Sequence, residues 1–98
     1  MNLSKEVCEP GLEEFLLEFL SDRKKEFLSL KGQHIADVQI MAREIGHKWQ
    51  GFSRPYGFME LEKLGHLLCD ASKECSQSSF EEILEETQNY LNLKEETL

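Results

Sequence analysis

The chain has little of what loop-rich folds require. Its 98 residues include 2 prolines and 6 glycines, too few for the many tight turns of a β-sandwich or a β-barrel. Its 3 cysteines are an odd number at wide spacing, which does not build a disulfide framework. No apolar run approaches the roughly 20 residues that a membrane span needs, and Met1–Pro10 has no apolar segment typical of a secretory signal. The sequence therefore predicts a helical protein in the reducing cytoplasm.

Basic charge is also scarce. The 19 acidic residues outnumber the 11 basic ones, and the formal net charge is −8 at pH 7. Nucleic-acid binding and docking on anionic membranes both depend on a basic face, so neither partner is expected. The length allows one domain, residues 1–98, with no room for a separate nucleotide-binding domain. We expect a monomer without a cofactor or a metal site.

What the chain does have is apolar residues at helical spacing. They recur three or four positions apart in four segments, which predicts helices at roughly 10–31, 34–53, 57–75 and 79–93. Short connections between helices of similar length favour an all-α fold, an antiparallel up-down four-helix bundle. The second segment is the most regular, and its apolar stripe consists of Ile35, Val38, Ala42, Ile45, Trp49 and Phe52.

The ends of the helices carry their own signals. The run Ser79-Phe80-Glu81-Glu82 matches a capping box, so the fourth helix is expected to begin at Ser79. The two ends of the chain, residues 1–8 and 94–98, are expected to fray.

His47 lies off the apolar stripe of the second segment. It comes two positions after Ile45, which rotates it by about 200° at about 100° per residue. If the stripe faces the core, His47 faces solvent near the middle of a helix. Gly46 and Gly51 each cost about 1 kcal/mol relative to alanine inside a helix. A missing side chain one turn from an imidazole leaves room for another molecule to approach the ring.

A local excess of basic residues surrounds this histidine. Residues 43–54 hold Arg43, Lys48 and Arg54 against Glu44 alone, although the whole chain is acidic. Such a patch suits a transient anion near His47. Most surface histidines have no chemical role. These features together favour such a role for His47, but they do not identify the reaction.

The string Ile45-Gly46-His47-Lys48-Trp49-Gln50-Gly51-Phe52-Ser53 and the run from Pro55 to Leu61 resemble the histidine phosphotransfer (HPt) domain of multistep phosphorelays. The resemblance covers roughly residues 12–92, and the matching positions are His47, Gly51, Gly57, Phe58, Leu61 and Leu64.

The resemblance implies a phosphoryl carrier without nucleotide-dependent turnover of its own. His47 would accept a phosphoryl group, on Nε2, from the aspartyl phosphate of a receiver domain or from a hybrid sensor kinase, and pass it to another receiver. The receiver brings the Mg²⁺ and the acyl phosphate, so the carrier needs neither a cofactor nor a metal of its own.

One position departs from the family pattern. The lysine usual three residues after the histidine is Gln50 here, which can donate a hydrogen bond to a phosphoryl oxygen but carries no charge. We expect Arg43 and Lys48 to supply the missing cation, with Gly51 giving access to His47.

The predicted partner-binding residues are Ala36, Ile40 and Arg54. Ala36 and Ile40 lie near the His47 side of the second helix, where exposed apolar atoms suit a docking partner. Packing of Ile40 against a neighbouring helix is an equally good interpretation.

Three alternatives stay open. The first is a module of the same fold that is not phosphorylated and only binds or sequesters a receiver domain, as the loss of lysine at Gln50 suggests. The second is an unrelated helical adaptor or dimerising bundle, favoured if His47 is buried. The third is a metal-dependent helical enzyme, for which His66 and Cys69 have ligand-compatible spacing but form only two ligands.

Overall fold

The computed structural model describes residues 6–98, which fold into four α-helices and two short 3-10 helices. The α-helices are α1 (Leu16–Leu30), α2 (Ile35–Phe52), α3 (Met59–Glu74) and α4 (Gln77–Thr97). The 3-10 helices are Glu13–Phe15, before α1, and Arg54–Tyr56, between α2 and α3. Residues 6–98 contain no strand, so the predicted all-helical class with four helices is confirmed. None of these helices combines the length and the apolar character that crossing a bilayer requires.

The first helix starts later than the expected position near Pro10. Gly11 has a φ of 93°, a left-handed conformation that an α-helix cannot contain. Its backbone N–H donates to Glu13 Oε2 at 2.8 Å, and the chain then makes one 3-10 turn. The regular α-helical pattern therefore begins only at Leu16.

The fourth helix starts earlier than the expected capping box, so that prediction is wrong. Ser76 is the N-cap, and its Oγ accepts a hydrogen bond from the Ser79 backbone N–H at 3.4 Å. Cys75 ends α3 in a left-handed conformation, with a φ of 51°. The connection is thus only two residues long, and the N-cap lies three residues before the predicted one.

The predicted fraying of residues 94–98 is also wrong. The helix α4 continues to Thr97, and Lys94 is buried, with its Nζ donating to the Gly57 carbonyl at 2.9 Å and pairing with Glu6 at 3.0 Å. Of the predicted frayed start, residues 1–5 lie outside the described residues. The following segment is held, because the Glu9 backbone N–H donates to the Pro55 carbonyl at 2.8 Å.

The core lies along the inner faces of the four helices. Its largest side chains without solvent exposure are Trp49, Tyr90, Phe58 and Phe80. Phe52, expected in the core stripe of α2, is instead 59% exposed. The helix ends at this residue, and the fully buried Phe58 fills that end of the core, with its ring centroid 6.1 Å from that of Tyr90.

The helices α2 and α3 approach closely enough for their backbones to touch. A Cβ atom on Gly46 would lie 2.7 Å from the Gly65 carbonyl oxygen, and a Cβ atom on Gly65 would lie 2.6 Å from the Gly46 carbonyl oxygen. Nearby, Ser72 Oγ donates to the Gln39 carbonyl at 2.7 Å, and Gln39 Nε2 donates to the Ser72 carbonyl at 2.6 Å. Gly46 therefore serves helix packing rather than access to His47.

We expect Gly46→Ala to lower the free energy of unfolding by about 1–3 kcal/mol, because the added methyl group meets the backbone of α3. Gly51→Ala is the matched control, since nothing lies within 4 Å of its Cβ position. That change is expected to stabilise the chain by up to about 1 kcal/mol. Urea unfolding followed by the fluorescence of the buried Trp49 measures both; equal stabilities for Gly46→Ala and the wild type would contradict the packing role.

Candidate functional site

The imidazole of His47 faces solvent on α2, as its rotation from the apolar stripe predicts. Ile45 and Trp49, on the opposite side of the helix, are buried. Within residues 6–98, no side chain forms a hydrogen bond or an ion pair with the His47 ring. Nothing lies within 4 Å of a Cβ built on Gly51, one turn further along. The ring is therefore reachable from outside along the C-terminal half of α2.

Lys48 is directed away from this open surface and towards α1. Its Nζ pairs with Glu26 Oε2 at 2.9 Å. The same carboxylate accepts a hydrogen bond from Trp49 Nε1 at 2.9 Å and one from Arg23 Nε at 2.6 Å. Lys48 thus belongs to a junction of four residues that ties α2 to α1.

The charge of Glu26 is what holds this junction together. Burial alone would raise the pKa of Glu26, but hydrogen bonds from Lys48, Trp49 and Arg23, together with the charge of Arg23, outweigh it, and the pKa is lowered. The carboxylate therefore stays ionised at neutral pH.

Gln50, at the position of the family's lysine, is half-buried between α2 and α3. Its Nε2 donates to Cys69 Sγ at 3.2 Å, and its Oε1 lies 3.3 Å from His66 Nδ1. Because an amide oxygen only accepts, His66 carries a proton on Nδ1 when this bond forms. Both ends of the Gln50 amide are thus used in packing against α3.

Arg43 and Arg54 differ in how their charges are used. Arg54 forms two hydrogen bonds with Glu62, 2.9 Å from Nε and 3.2 Å from Nη2, a contact that joins the connection after α2 to α3. Arg43 is exposed one turn before His47 and pairs with no carboxylate in the described part of the chain. Of the predicted supporting residues, Arg43 and Gly51 adjoin His47, whereas Lys48 and Gln50 are engaged with neighbouring helices.

The predicted docking residues Ala36 and Ile40 are exposed, and Ile40 is 76% accessible. The interpretation that Ile40 packs against another helix is therefore wrong. Ile40 lies seven residues before His47, which places it within about 20° of the same line along the helix. Ala36 precedes an irregular turn at Val38, where φ is −123° and ψ is 19°. Of the two docking residues, Ile40 alone is therefore joined to His47 by regular helix.

The pair His66 and Cys69 does not extend into a metal site in the structure. No group of three or more His, Cys, Asp and Glu side chains comes together in residues 6–98 in a way that could hold a metal ion. Burial raises the pKa of the Cys69 thiol, which disfavours the thiolate that metals bind. Its sulfur instead accepts the hydrogen bond from Gln50.

Two features of this region were missed by sequence reasoning. Glu26 lies on a different helix, 23 positions from Trp49, and no local pattern links the two. Phe52 fits the apolar stripe, and only the end of α2 at that residue explains its exposure.

Comparison of the chain with protein-family models, with curated proteins and with solved structures finds no match. The functional assignment therefore rests on the geometry around His47 and on the resemblance of its local sequence.

We expect Glu26→Gln to lower the free energy of unfolding by about 1–3 kcal/mol at neutral pH, since three donors lose a charged acceptor. The pKa of Glu26 is lowered from its ordinary value of 4.5, so its contribution is complete above that value. It is lost as the pH falls through the lowered pKa of the folded state.

Chemical denaturation across the acidic range measures this effect. The variant is expected to lack part of the acid-induced loss of stability seen in the wild type. Glu85→Gln, at an exposed position on α4, is the control. Parallel pH profiles for Glu26→Gln and the wild type would contradict the role of the Glu26 charge.

Proposed function

We propose that this chain is a histidine phosphotransfer protein that carries a phosphoryl group on His47 between receiver domains, or from a sensor kinase to a receiver. The observation that carries the proposal is an imidazole exposed in the C-terminal half of α2, with open space beside Gly51 one turn away. A carrier needs a reachable nucleophile and no binding pocket for a nucleotide. A reducing compartment such as the cytoplasm is proposed because Cys8, Cys69 and Cys75 are all free.

The proposed architecture is the antiparallel up-down bundle typical of such carriers. Contacts between α2 and α3 run in opposite directions along the two helices, since Gln39 pairs with Ser72. Arg54, just after α2, pairs with Glu62 near the start of α3. The two-residue connection between α3 and α4 favours the same reversal of direction.

In the transfer step, the lone pair on Nε2 of neutral His47 attacks the phosphorus of an aspartyl phosphate. A P–N bond forms as the P–O bond to the aspartyl carboxyl group breaks, and the carboxylate leaves with the electron pair of that bond. The proton on Nδ1 stays on the ring during the attack and can afterwards pass to water. Donation to the next receiver reverses these changes, with its aspartate as the nucleophile.

Arg43 is the cation best placed to attract the phosphoryl group. It is exposed one turn from His47, whereas Lys48 is held by Glu26. In water, a single exposed cation adds modest attraction, about 1 kcal/mol at contact distance. The proposed carrier thus relies on access to the ring more than on charge around it.

Ile40 is the apolar contact that the proposed receiver would cover. Its side chain is 76% exposed on the His47 line of α2, with Ala36 exposed in the first turn of the same helix. Burying an aliphatic side chain of this size contributes about 1.5–3 kcal/mol, enough to orient a transient complex around the histidine.

The second candidate is a docking module that binds a receiver without accepting the phosphoryl group. A specific observation favours it: the Gln50 amide is engaged by Cys69 and His66. Neither Gln50 nor Lys48 is therefore free to contact a phosphoryl group, although the docking face with Ile40 is complete.

We expect acid-labile label to appear on the chain when it is mixed with receiver domains charged by radiolabelled acetyl phosphate. The label should be absent from His47→Gln, because His34 lies before the start of α2 and the His66 ring contacts the Gln50 amide. His66→Gln and His34→Gln are the controls and should keep the label.

The same assay separates the two candidates. Label that persists in His47→Gln contradicts the assignment of His47. A receiver that binds the chain but transfers no label to it supports the docking module instead.

We expect Ile40→Asp to weaken binding of the same receiver domain by about tenfold or more, since an apolar contact is replaced by a charge. Leu28→Asp, at a 61% exposed position on α1, is the matched control and should leave the affinity unchanged. Calorimetric titration measures the affinity, and circular dichroism checks that the helical content of both variants is unaltered. Equal affinities for the two variants would remove Ile40 from the interface.

A further inference from the structure

We propose that a groove between the start of α1 and the end of α2 binds a cationic segment of a partner protein. This site does not depend on phosphorylation of His47. Phe52, on the groove, is rotated by about 140° from His47 around the helix axis. The two surfaces therefore face different directions and can be occupied at the same time.

The groove is built from four aromatic rings, each of which belongs to a different helical element. Phe19 and Tyr56 form its floor, with their rings stacked at a centroid distance of 4.2 Å and an interplanar angle of 14°. Phe15 and Phe52 stand at its edges, and the volume of this open groove is about 380 Å³. That volume lies within the range of about 300–1,000 Å³ typical of ligand sites.

The exposure of the two edge residues leaves apolar surface on the groove that a partner could cover. Phe15 is 44% exposed and Phe52 is 59% exposed. Burying a phenylalanine ring is favourable because it removes apolar surface from water, and this groove leaves two such rings in water. Single exposed apolar residues are common, but a cluster rimmed by polar groups marks an interaction surface.

The charges around the groove select a cationic occupant. Glu18 and Asp22 line it and are exposed, and within residues 6–98 neither forms an ion pair. Arg23, the one basic residue of the lining, donates two hydrogen bonds to Glu26, at 2.6 and 3.1 Å. Its charge is thus already compensated, and the two carboxylates leave the groove with a negative potential.

The chain itself shows that this aromatic floor accepts a guanidinium group. The Arg23 Cζ atom lies 4.5 Å from the centroid of the Phe19 ring, within the range of a cation–π contact. A lysine or arginine side chain of a partner would meet the same chemistry at Phe15 and Phe52, beside two free carboxylates. The occupant that fits both properties is a peptide segment in which apolar and basic residues alternate on one face.

The test uses a fluorescently labelled peptide with leucine and lysine at helical spacing, and the same peptide with glutamate in place of lysine. We expect the full chain to bind the lysine peptide, more weakly as salt is added, and to ignore the glutamate peptide. Phe52→Ser and, independently, Phe15→Ser should each weaken binding by about tenfold or more. Leu28→Ser, which removes an equally exposed apolar side chain elsewhere on α1, should bind like the wild type.

Charge variants distinguish the groove from the general acidity of the chain. Glu18→Gln combined with Asp22→Asn should weaken binding and flatten its salt dependence, whereas Glu85→Gln combined with Glu96→Gln on α4 should not. Equal losses for the two double variants would overturn the proposal, as would unchanged binding by Phe52→Ser. Analytical ultracentrifugation provides a further check. A wild-type dimer that dissociates in the Phe52→Ser variant would overturn the proposal, because a second copy of the chain would then cover the groove.

Discussion

The backbone contact between Gly46 and Gly65 determines how α2 is presented to solvent. With no side chain at either position, the two helices approach until carbonyl oxygens occupy the space of the missing Cβ atoms. Such an approach fixes the rotation of α2 about its own axis, because any other rotation would bring a larger residue into the contact. Gly46 faces α3 and Trp49 faces the core. His47 follows Gly46 directly, and a rotation of about 100° per residue therefore turns its side chain towards solvent.

The junction around Glu26 uses two of the 11 basic residues of an acidic chain to join neighbouring helices. One carboxylate binds Arg23, Lys48 and Trp49, and this arrangement joins α1 to α2. A lysine held in this way is directed towards α1 and away from a ligand at His47, from which it is rotated by about 100°. In the proposed carrier, this would weaken phosphoryl binding at His47, where Arg43 is the neighbouring cation that forms no ion pair within residues 6–98.

The sequence predicted most of what depends on local periodicity. The spacing of Ile45 and Trp49 was sufficient to place His47 in solvent, because helix geometry alone relates these positions. Prediction from the sequence failed where two similar signals competed, as with the serines near the start of α4. Ser76 caps the helix, and Ser79 supplies the backbone N–H that the Ser76 side chain binds. It also failed for Glu26, since contacts between distant segments leave no trace in a single sequence.

If His47 carries a phosphoryl group as proposed, the groove at the end of α2 would compensate for the weak attraction between the His47 surface and a receiver. A phosphoryl acceptor with an uncharged Gln50 in place of lysine attracts its partner less, so encounters at His47 alone would be brief. A partner that is also held in the groove by a basic segment stays near the histidine between encounters. Its effective concentration is then set by the length of the tether and can reach the millimolar range for short flexible ones. In the proposed carrier, the aromatic residues at the end of α2 would thus offset the charge that is missing at Gln50.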